Sequence, residues 1–516
     1  MKNLFDDSPR APAVPVAMQC AALALAGAAC VPGFAPFGWW ALPLLSLAIF
    51  AAAMHRSPPR RAALLGYCFG LGLFLAGVSW VYVSLHDFGG MAAPIAIVAT
   101  LLFCAILALY PALAAYLCAK AHGSLAPFLA FPAAWTLCEW TRSWMLSGFP
   151  WLSMGYSQLT ESPLRHFAPI AGVFGVTLAM TLVSGALATL AIEFRRTAWS
   201  QMLRAPGWWV IGALFATGYA SGLHEWTQRA DAQALSVSLL QGNISQDLKW
   251  QPERLAATLH AYREMTLASR SRLILLPETA LPQFDIDLPR GYLDQLAAHA
   301  RAQDGDLLLG IPEFGADGAY YNSVISIGSE PRQTYRKSHL VPFGDYFPLR
   351  PLLGWVMELL HIPMSSFSHG DSNPQPLRVA GQKIAANICY EDAFGEEIIR
   401  QLPEASMLAN FTNDAWWGRS IASQQHLQMA QMRALETGRY LLRATNTGVT
   451  AIIDQRGNVS ARAPEFSQVT LNGVAYGYSG ATPYVRTGNW AVILLAGALY
   501  SLTLAHARRV RSRAQR

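Results

Sequence analysis

Charge is scarce in this chain. Asp, Glu, Lys and Arg make up 14% of its 516 residues, against roughly 25% in a soluble domain, and the mean hydropathy is +0.25. That shortage excludes a protein that is soluble along its whole length. Cysteine is scarce wherever polarity returns. Six of the seven cysteines (Cys20, Cys30, Cys68, Cys104, Cys118, Cys138) lie in apolar stretches near the N-terminus, and Cys389 stands alone in the long polar region. A thiol without a partner in its own domain excludes an intradomain disulfide there. No His/Cys/Asp/Glu cluster has metal-ligand spacing, so neither a metal nor another cofactor is expected, and His339 and His426 read as hydrogen-bonding residues. Internal repeats and low-complexity tracts are missing as well.

The net charge is +6, but the bases are dispersed. Arg56, Arg60 and Arg61, then Lys120, then Arg195, Arg196 and Arg204, then Arg508, Arg509, Arg511, Arg513 and Arg516 form short clusters between apolar blocks. Such clusters orient spans in a bilayer and make no groove for phosphates, so a nucleic-acid partner is excluded.

What is present is a series of apolar blocks at about 13–33, 37–54, 62–85, 92–119, 124–143, 167–193, 208–226 and 489–506. Each is long enough to cross a hydrocarbon core of roughly 30 Å. The fold class expected is a polytopic α-helical membrane protein of about eight spans carrying one α/β domain. Its parts are a membrane region at 1–231, a soluble domain at 232–485, and a last span with a basic tail at 486–516. Eight spans place the loops at 55–61, 120 and 194–205 and the tail at 507–516 on one side. The loops at 34–36 and 86–91 carry no Lys or Arg and 144–166 carries only Arg165. The positive-inside rule then puts both termini in the cytoplasm and the soluble domain outside. The N-terminus is not a simple cleavable signal, and Gly27-Ala28-Ala29-Cys30 reads as small residues for helix packing. The aromatic loop Ser147–Leu152 reads first as an interfacial belt, with a substrate contact as the alternative.

Within 232–485, short β-branched runs alternate with helical patterns. Strands are expected at Leu235–Leu240, Leu273–Leu276, Asp306–Ile311, Ser323–Ile327, Ile384–Ile388, Ala405–Phe411 and Gly448–Ile453, and helices at about 251–269, 289–303 and 420–442. Three ionisable residues stand just beyond strands: Glu278 after Leu273–Pro277, Lys337 in Tyr335–Asp345, and Cys389 after Asn387-Ile388. A thiol needs a base, and a carboxylate in partly apolar surroundings can serve. A lysine can stabilise the anion formed on an attacked carbonyl. Glu, Lys and Cys make a chemically complete acyl-transfer set, although spacing alone does not bring them together.

Pro277-Glu278-Thr279, Arg336 to Asp345 and Cys389-Tyr390-Glu391-Asp392 resemble the motifs of the nitrilase (carbon–nitrogen hydrolase) superfamily. The resemblance is closer to its membrane branch, the bacterial apolipoprotein N-acyltransferases. Gln241-Gly242-Asn243-Ile244 with Trp250, Asn410 to Gly418, and Arg433 to Arg439 support it, so it covers nearly the whole chain. It implies an αββα sandwich on a helix bundle, with Glu278 as base, Lys337 as oxyanion stabiliser and Cys389 as nucleophile. Asp345 stands where relatives often carry Glu, one methylene longer. Glu391, beside Tyr390, matches a position that assists at the site. Trp250, Phe149 and Trp151 match positions linked to substrate contact or a mobile lid. Trp416 joins them if Asn410–Gly418 lines the site, the alternative being a membrane anchor.

The resemblance also implies the substrates. A phospholipid gives its acyl chain to Cys389, and the α-amino group of a diacylglyceryl-modified apolipoprotein receives it. The expected setting is the bacterial inner membrane with the catalytic domain periplasmic, acting as a monomer. The alternatives are a membrane-tethered nitrilase-type amidase, and a transporter or receptor whose outer domain only binds ligand. The latter needs charges inside the spans, where Glu139 and Arg142 are among the few.

Overall fold

Alternating apolar residues build the polar region of the chain into paired sheets. The structure, a computed structural model, describes residues 15–123, 125–194, 205–230, 233–315, 318–346 and 366–514. Residues 195–204 of the expected basic loop, the charged N-terminal decapeptide, Arg516 and the expected boundary at 231–232 lie outside these. β1 (Gln228–Arg229) is followed by β2 (Leu235–Gln241), β3 (Leu273–Leu275), β4 (Asp306–Phe314), β5 (Tyr320–Gly328) and β6 (Thr334–Arg336). Next come β7 (Leu377–Val379), β8 (Gln382–Ile388), β9 (Met407–Thr412), β10 (Leu441–Thr445), β11 (Ala451–Ile453) and β12 (Val459–Arg462). β13 (Val469–Ala475) and β14 (Tyr478–Ser479) complete the set.

Two six-stranded sheets result, ordered β13-β2-β3-β4-β5-β6 and β12-β11-β10-β9-β8-β7, and β1 pairs with β14. Besides β8/β9, joined through the short helical turns Cys389–Ala393 and Gly395–Ile398, the parallel pairs β2/β3, β3/β4 and β9/β10 need crossover connections. The helices Pro252–Ala268, Tyr292–Ala302 and Ala422–Thr437 supply them. Period-two side chains decide the layers. Val237, Leu239, Leu275, Ile384, Ala386, Ile388, Ala409 and Phe411 fill the space between the sheets. Ile274, Leu276, Leu307 and Leu309 face the helices over the first sheet, and Ala385, Leu408 and Leu441 face the helix over the second. The domain is thus an αββα sandwich. A slip of one residue in β8 would turn its whole apolar set to the wrong face, and would also misplace Cys389 just beyond it.

The other apolar blocks form helices. Among the described residues, five helical stretches are long and apolar enough to cross a membrane: Val16–Gly33, Pro59–Val78, Ala93–Ala121, Pro163–Phe194 and Trp490–Arg513. Ala41–Met54 is apolar but shorter. Phe131–Arg142 and Pro206–Gly222 occupy the two remaining expected positions. Their outward faces carry Leu25, Ile49, Val98, Leu102, Leu109 and Trp209, all exposed, an apolar surface that suits lipid rather than water.

Three details differ from the sequence reading. The block at 92–119 is interrupted at Ala108, between helices Ala93–Leu107 and Leu109–Ala121. Pro111 lies just inside the second, where its missing N–H does least harm. The last helix runs on through the arginine cluster to Ala514, because arginine favours helix and cations suit a helix C-terminus. The helix at 420–442 stops at Thr437, since Gly438 takes a left-handed φ of +63° and ends it.

Bundle and sandwich are stitched together by a break in the helix Ala168–Phe194. Gly172 adopts φ +67° there, and a Cβ would collide with the Tyr484 ring. The N–H of Val173, freed by the break, donates to Glu436 of the sandwich at 2.5 Å.

Candidate active site

Each of the three candidate catalytic residues sits just beyond the end of a strand in the sandwich: Glu278 after β3, Lys337 after β6 and Cys389 after β8. β4 passes close to the first of these turns because of Gly310. A Cβ on it would lie 2.7 Å from the Glu278 Cα. Cys389 itself has φ +54° and opens a short helical turn, Cys389–Ala393. A non-glycine residue held left-handed costs on the order of 1–3 kcal/mol and aims its side chain out of the strand's path. Cys389 is half-buried and packs against both the inter-sheet core and the helix-bundle core.

Lys337 and Glu278 come together. Lys337 Nζ lies 3.5 Å from Glu278 Oε1 and 2.7 Å from Asp345 Oδ2, all three being buried. Asp345 also accepts the Val341 N–H at 2.8 Å, which folds its loop back onto the lysine. Glu278 is further held by Asn322 Nδ2 at 2.7 Å. Burial is the largest influence on the Lys337 ammonium and pulls its pKa down. The carboxylates of Asp345 and Glu278 outweigh it, so the ammonium is held above its ordinary range. For Cys389, burial first and the Glu278 carboxylate second push the thiol up, against Lys337 and a hydrogen bond with Thr412. The resting sulfur is therefore a thiol beside a carboxylate, with a fixed cation in the same field.

Glu391 organises the turn. Its Oε1 accepts from the Ser338 N–H (2.7 Å), the His339 N–H (2.9 Å) and the Ser338 hydroxyl (3.0 Å). Its Oε2 accepts from the Ile388 N–H (2.6 Å) and the Tyr335 hydroxyl (2.7 Å). One carboxylate thus ties the Lys337 loop to the Cys389 turn with its lone pairs fully used. Beneath, Arg443 Nη1 reaches Asp392 (3.0 Å) and Asn410 Oδ1 (2.6 Å), and Nη2 reaches Asp414 (3.1 Å). His426 lies between the same two aspartates, and Asn410 Nδ2 donates to the Cys389 carbonyl at 3.1 Å. Among the described residues, no group of three or more His, Cys, Asp or Glu is placed to hold a metal ion.

The loop Ser147–Leu152 does not merely ring the bundle; it docks on the sandwich. Tyr390, next to the thiol, donates to the Gly148 carbonyl at 3.2 Å, and His339 meets the Ser147 carbonyl at 2.9 Å. Phe149 and Trp151 stack against each other with centroids 6.0 Å apart, and Tyr390 lies 6.5 and 6.3 Å from them. Trp151 is fully buried and donates to Gln425 at 2.6 Å. Glu139 and Arg142 support this loop: Glu139 accepts the Met154 N–H and Arg142 donates to the Trp151 carbonyl. Trp80 and Trp417 close the aromatic cluster. Trp416 stands aside from it, half-buried, with its carbonyl accepting from Ser84. Trp250 is half-buried too, next to Lys249.

Lys249 is the residue that sequence reasoning missed. Its buried ammonium donates to the Glu278 carbonyl (3.2 Å) and the Thr279 hydroxyl (2.5 Å). Burial brings its pKa down to about 8, against the Glu278 charge. Asn322 was missed as well. Its side chain holds Glu278, and its carbonyl accepts the Lys337 N–H. Neither stands in a motif; only adjacency to Trp250 pointed toward Lys249.

The family model described as apolipoprotein N-acyltransferase N-terminal domain matches residues 26–186, and that of carbon-nitrogen hydrolase matches 236–484. An apolipoprotein N-acyltransferase of Nitrosomonas europaea is 50% identical over 486 residues, covering 93% of this chain and 95% of its own. One from Methylococcus capsulatus is 45% identical, covering 95% and 97%. One from Chromobacterium violaceum is 46% identical, covering 94% and 93%.

Proposed function

The chain belongs to the apolipoprotein N-acyltransferase family, and we propose that it performs that family's acyl transfer through Cys389. It is an acyltransferase of lipoprotein maturation, moving a fatty acyl chain from a phospholipid to the free α-amino group of a diacylglyceryl-modified apolipoprotein. The observation that carries the mechanism is the Lys337–Glu278 approach of 3.5 Å, both charges acting on a left-handed Cys389 where the two cores meet.

Glu278 takes the thiol proton as the sulfur attacks the ester carbonyl. The raised thiol pKa favours proton transfer during attack over a standing thiolate. Lys337, with nearby backbone N–H groups, holds the oxyanion. Its collapse breaks the ester C–O bond, and the lysophospholipid alkoxide leaves with the proton from Glu278. The resulting thioester is attacked by the apolipoprotein amine, Glu278 removes a proton from that nitrogen, and the sulfur leaves and is reprotonated. Asp345, Glu391 and Lys249 act as positioning residues. Tyr390, Phe149 and Trp151 shape the acyl side of the site, with Trp250 and Trp416 as further substrate contacts. Exposed Trp144, Met145 and Leu146 adjoin the docked loop and offer apolar surface to a lipid chain.

The same reading sets the chain in the inner membrane with about eight spans, both termini cytoplasmic and the sandwich periplasmic, acting as a monomer. The apolar outward faces of the helices and the Lys/Arg-poor loops on the sandwich side support it. Replacing Cys389 with Ala or Ser and assaying lipoprotein N-acylation tests the mechanism. Abolished acylation is expected, and intact acylation refutes it.

A further inference from the structure

Arg165 is the single Lys or Arg between 144 and 166, and nothing in the chemistry above uses it. It lines a cavity of about 310 Å³ together with His166, His224, Trp226 and Arg456. One wall is the start of the apolar stretch Pro163–Phe194. Another is the end of the helix Pro206–Gly222, and the sandwich supplies the third. Two apolar helices thus meet the polar domain at the cavity. In the membrane topology proposed above, such a junction lies at headgroup depth, where Trp is favoured.

Its chemistry is that of an anion site. Arg165 and Arg456 bring two permanent positive charges, while Glu225 is the one acid among the described lining residues. Glu225 pairs with Arg456 at 2.9 Å through an exposed contact, which solvent screens. Arg165 donates to neutral oxygens, the Arg456 carbonyl at 2.5 Å and Asn458 Oδ1 at 3.3 Å, and the Asp454 carboxylate acts on it only through space. Its Nε has no acceptor, nor has the indole N–H of Trp226. Among the described lining residues these are the only buried side-chain polar atoms without a partner. Both are donors, so what the site lacks is an acceptor. Leu223, next to this lining, is 72% exposed and offers an apolar ledge on the bilayer side.

We propose that this cavity takes the phosphate-bearing headgroup of an anionic phospholipid, fastening the sandwich to the membrane surface. None of the residues that line it surrounds Cys389, so the site is separate from that of the acyl donor and does not rest on the acyl-transfer reading. No covalent step is involved.

The test is native mass spectrometry of the full chain released from nanodiscs holding equal amounts of phosphatidylglycerol and phosphatidylcholine. The intact protein should keep phosphatidylglycerol in preference. Arg165→Gln with Arg456→Gln should weaken retention, by roughly fivefold for each arginine, and Arg165→Lys should restore part of it. Should the double variant lose its fold, Arg456→Gln alone, at an exposed side chain, carries the same comparison. Equal retention of both lipids, unchanged retention in the variants, or displacement of the lipid by inorganic phosphate would each overturn the proposal.

Discussion

Asp345 Oδ2 lies 2.7 Å from Lys337 Nζ and accepts the Val341 N–H as well. A glutamate at this position would reach the same ammonium with one methylene more. Asp345→Glu should therefore keep most of the activity. Asp345→Ala breaks a buried pair, a loss of about 3–5 kcal/mol in stability, and should lower kcat/KM on the order of 100-fold through a displaced lysine. Equal losses in both variants, measured by steady-state acyl transfer, would mean that the carboxylate does not position Lys337.

The Glu278 carboxylate raises the Cys389 thiol and Lys337 lowers it, so their removal has opposite effects on reactivity toward an alkylating agent. Glu278→Gln should make the thiol more acidic and speed alkylation by iodoacetamide at fixed pH. The same change should cut acyl transfer on the order of 100-fold to 10,000-fold through loss of the base. Lys337→Met should slow alkylation. Mass spectrometry of the Cys389 peptide against time reads both rates.

Glu391 accepts five hydrogen bonds, from β6, from the loop that follows it and from the end of β8. An amide in its place offers one acceptor oxygen and turns two donors toward a site whose three backbone N–H groups can only donate. Glu391→Gln should cost about 2–3 kcal/mol and lower kcat more than it raises KM, because the Lys337 loop and the Cys389 turn lose their common tie. Chemical denaturation alongside steady-state kinetics measures both.

Burial raises the Glu436 carboxyl to about 7 from 4.5, against the opposing pull of Arg433 and the Val173 N–H. Between those values the folded chain binds more protons at this site than the unfolded chain. This group's contribution is therefore complete below pH 4.5 and is lost as pH rises through about 7, a change on the order of 3 kcal/mol. Glu436→Gln should flatten the thermal midpoint across that window. A midpoint with the same slope in both proteins would remove Glu436 as its source.

Much of this was legible because apolar period and topology leave marks in sequence. Leu273–Leu276 and Ile384–Ile388 announce buried strands, and the residues just past them, Glu278 and Cys389, are the ones the fold presents. Leu441–Thr445 was hidden, since it continues the apolar pattern of the preceding helix and only the αL glycine at 438 separates the two. The edge strands β6, β7 and β12 are three or four residues long, too short for a period to declare itself. Lys249, Asn322 and the docking of Phe149 and Trp151 onto Tyr390 were not legible either. They are contacts across 15 to more than 240 residues, and composition at either end says nothing of the other.

If Cys389 carries the acyl group, the mass of the Cys389 peptide records it. The purified protein is incubated with phospholipid and no acceptor. A fatty-acyl adduct on Cys389 is expected, one that hydroxylamine removes and that disappears when a diacylglyceryl peptide with a free amine is added. Free fatty acid accumulating with no adduct would contradict that role, as would an adduct that the amine leaves in place.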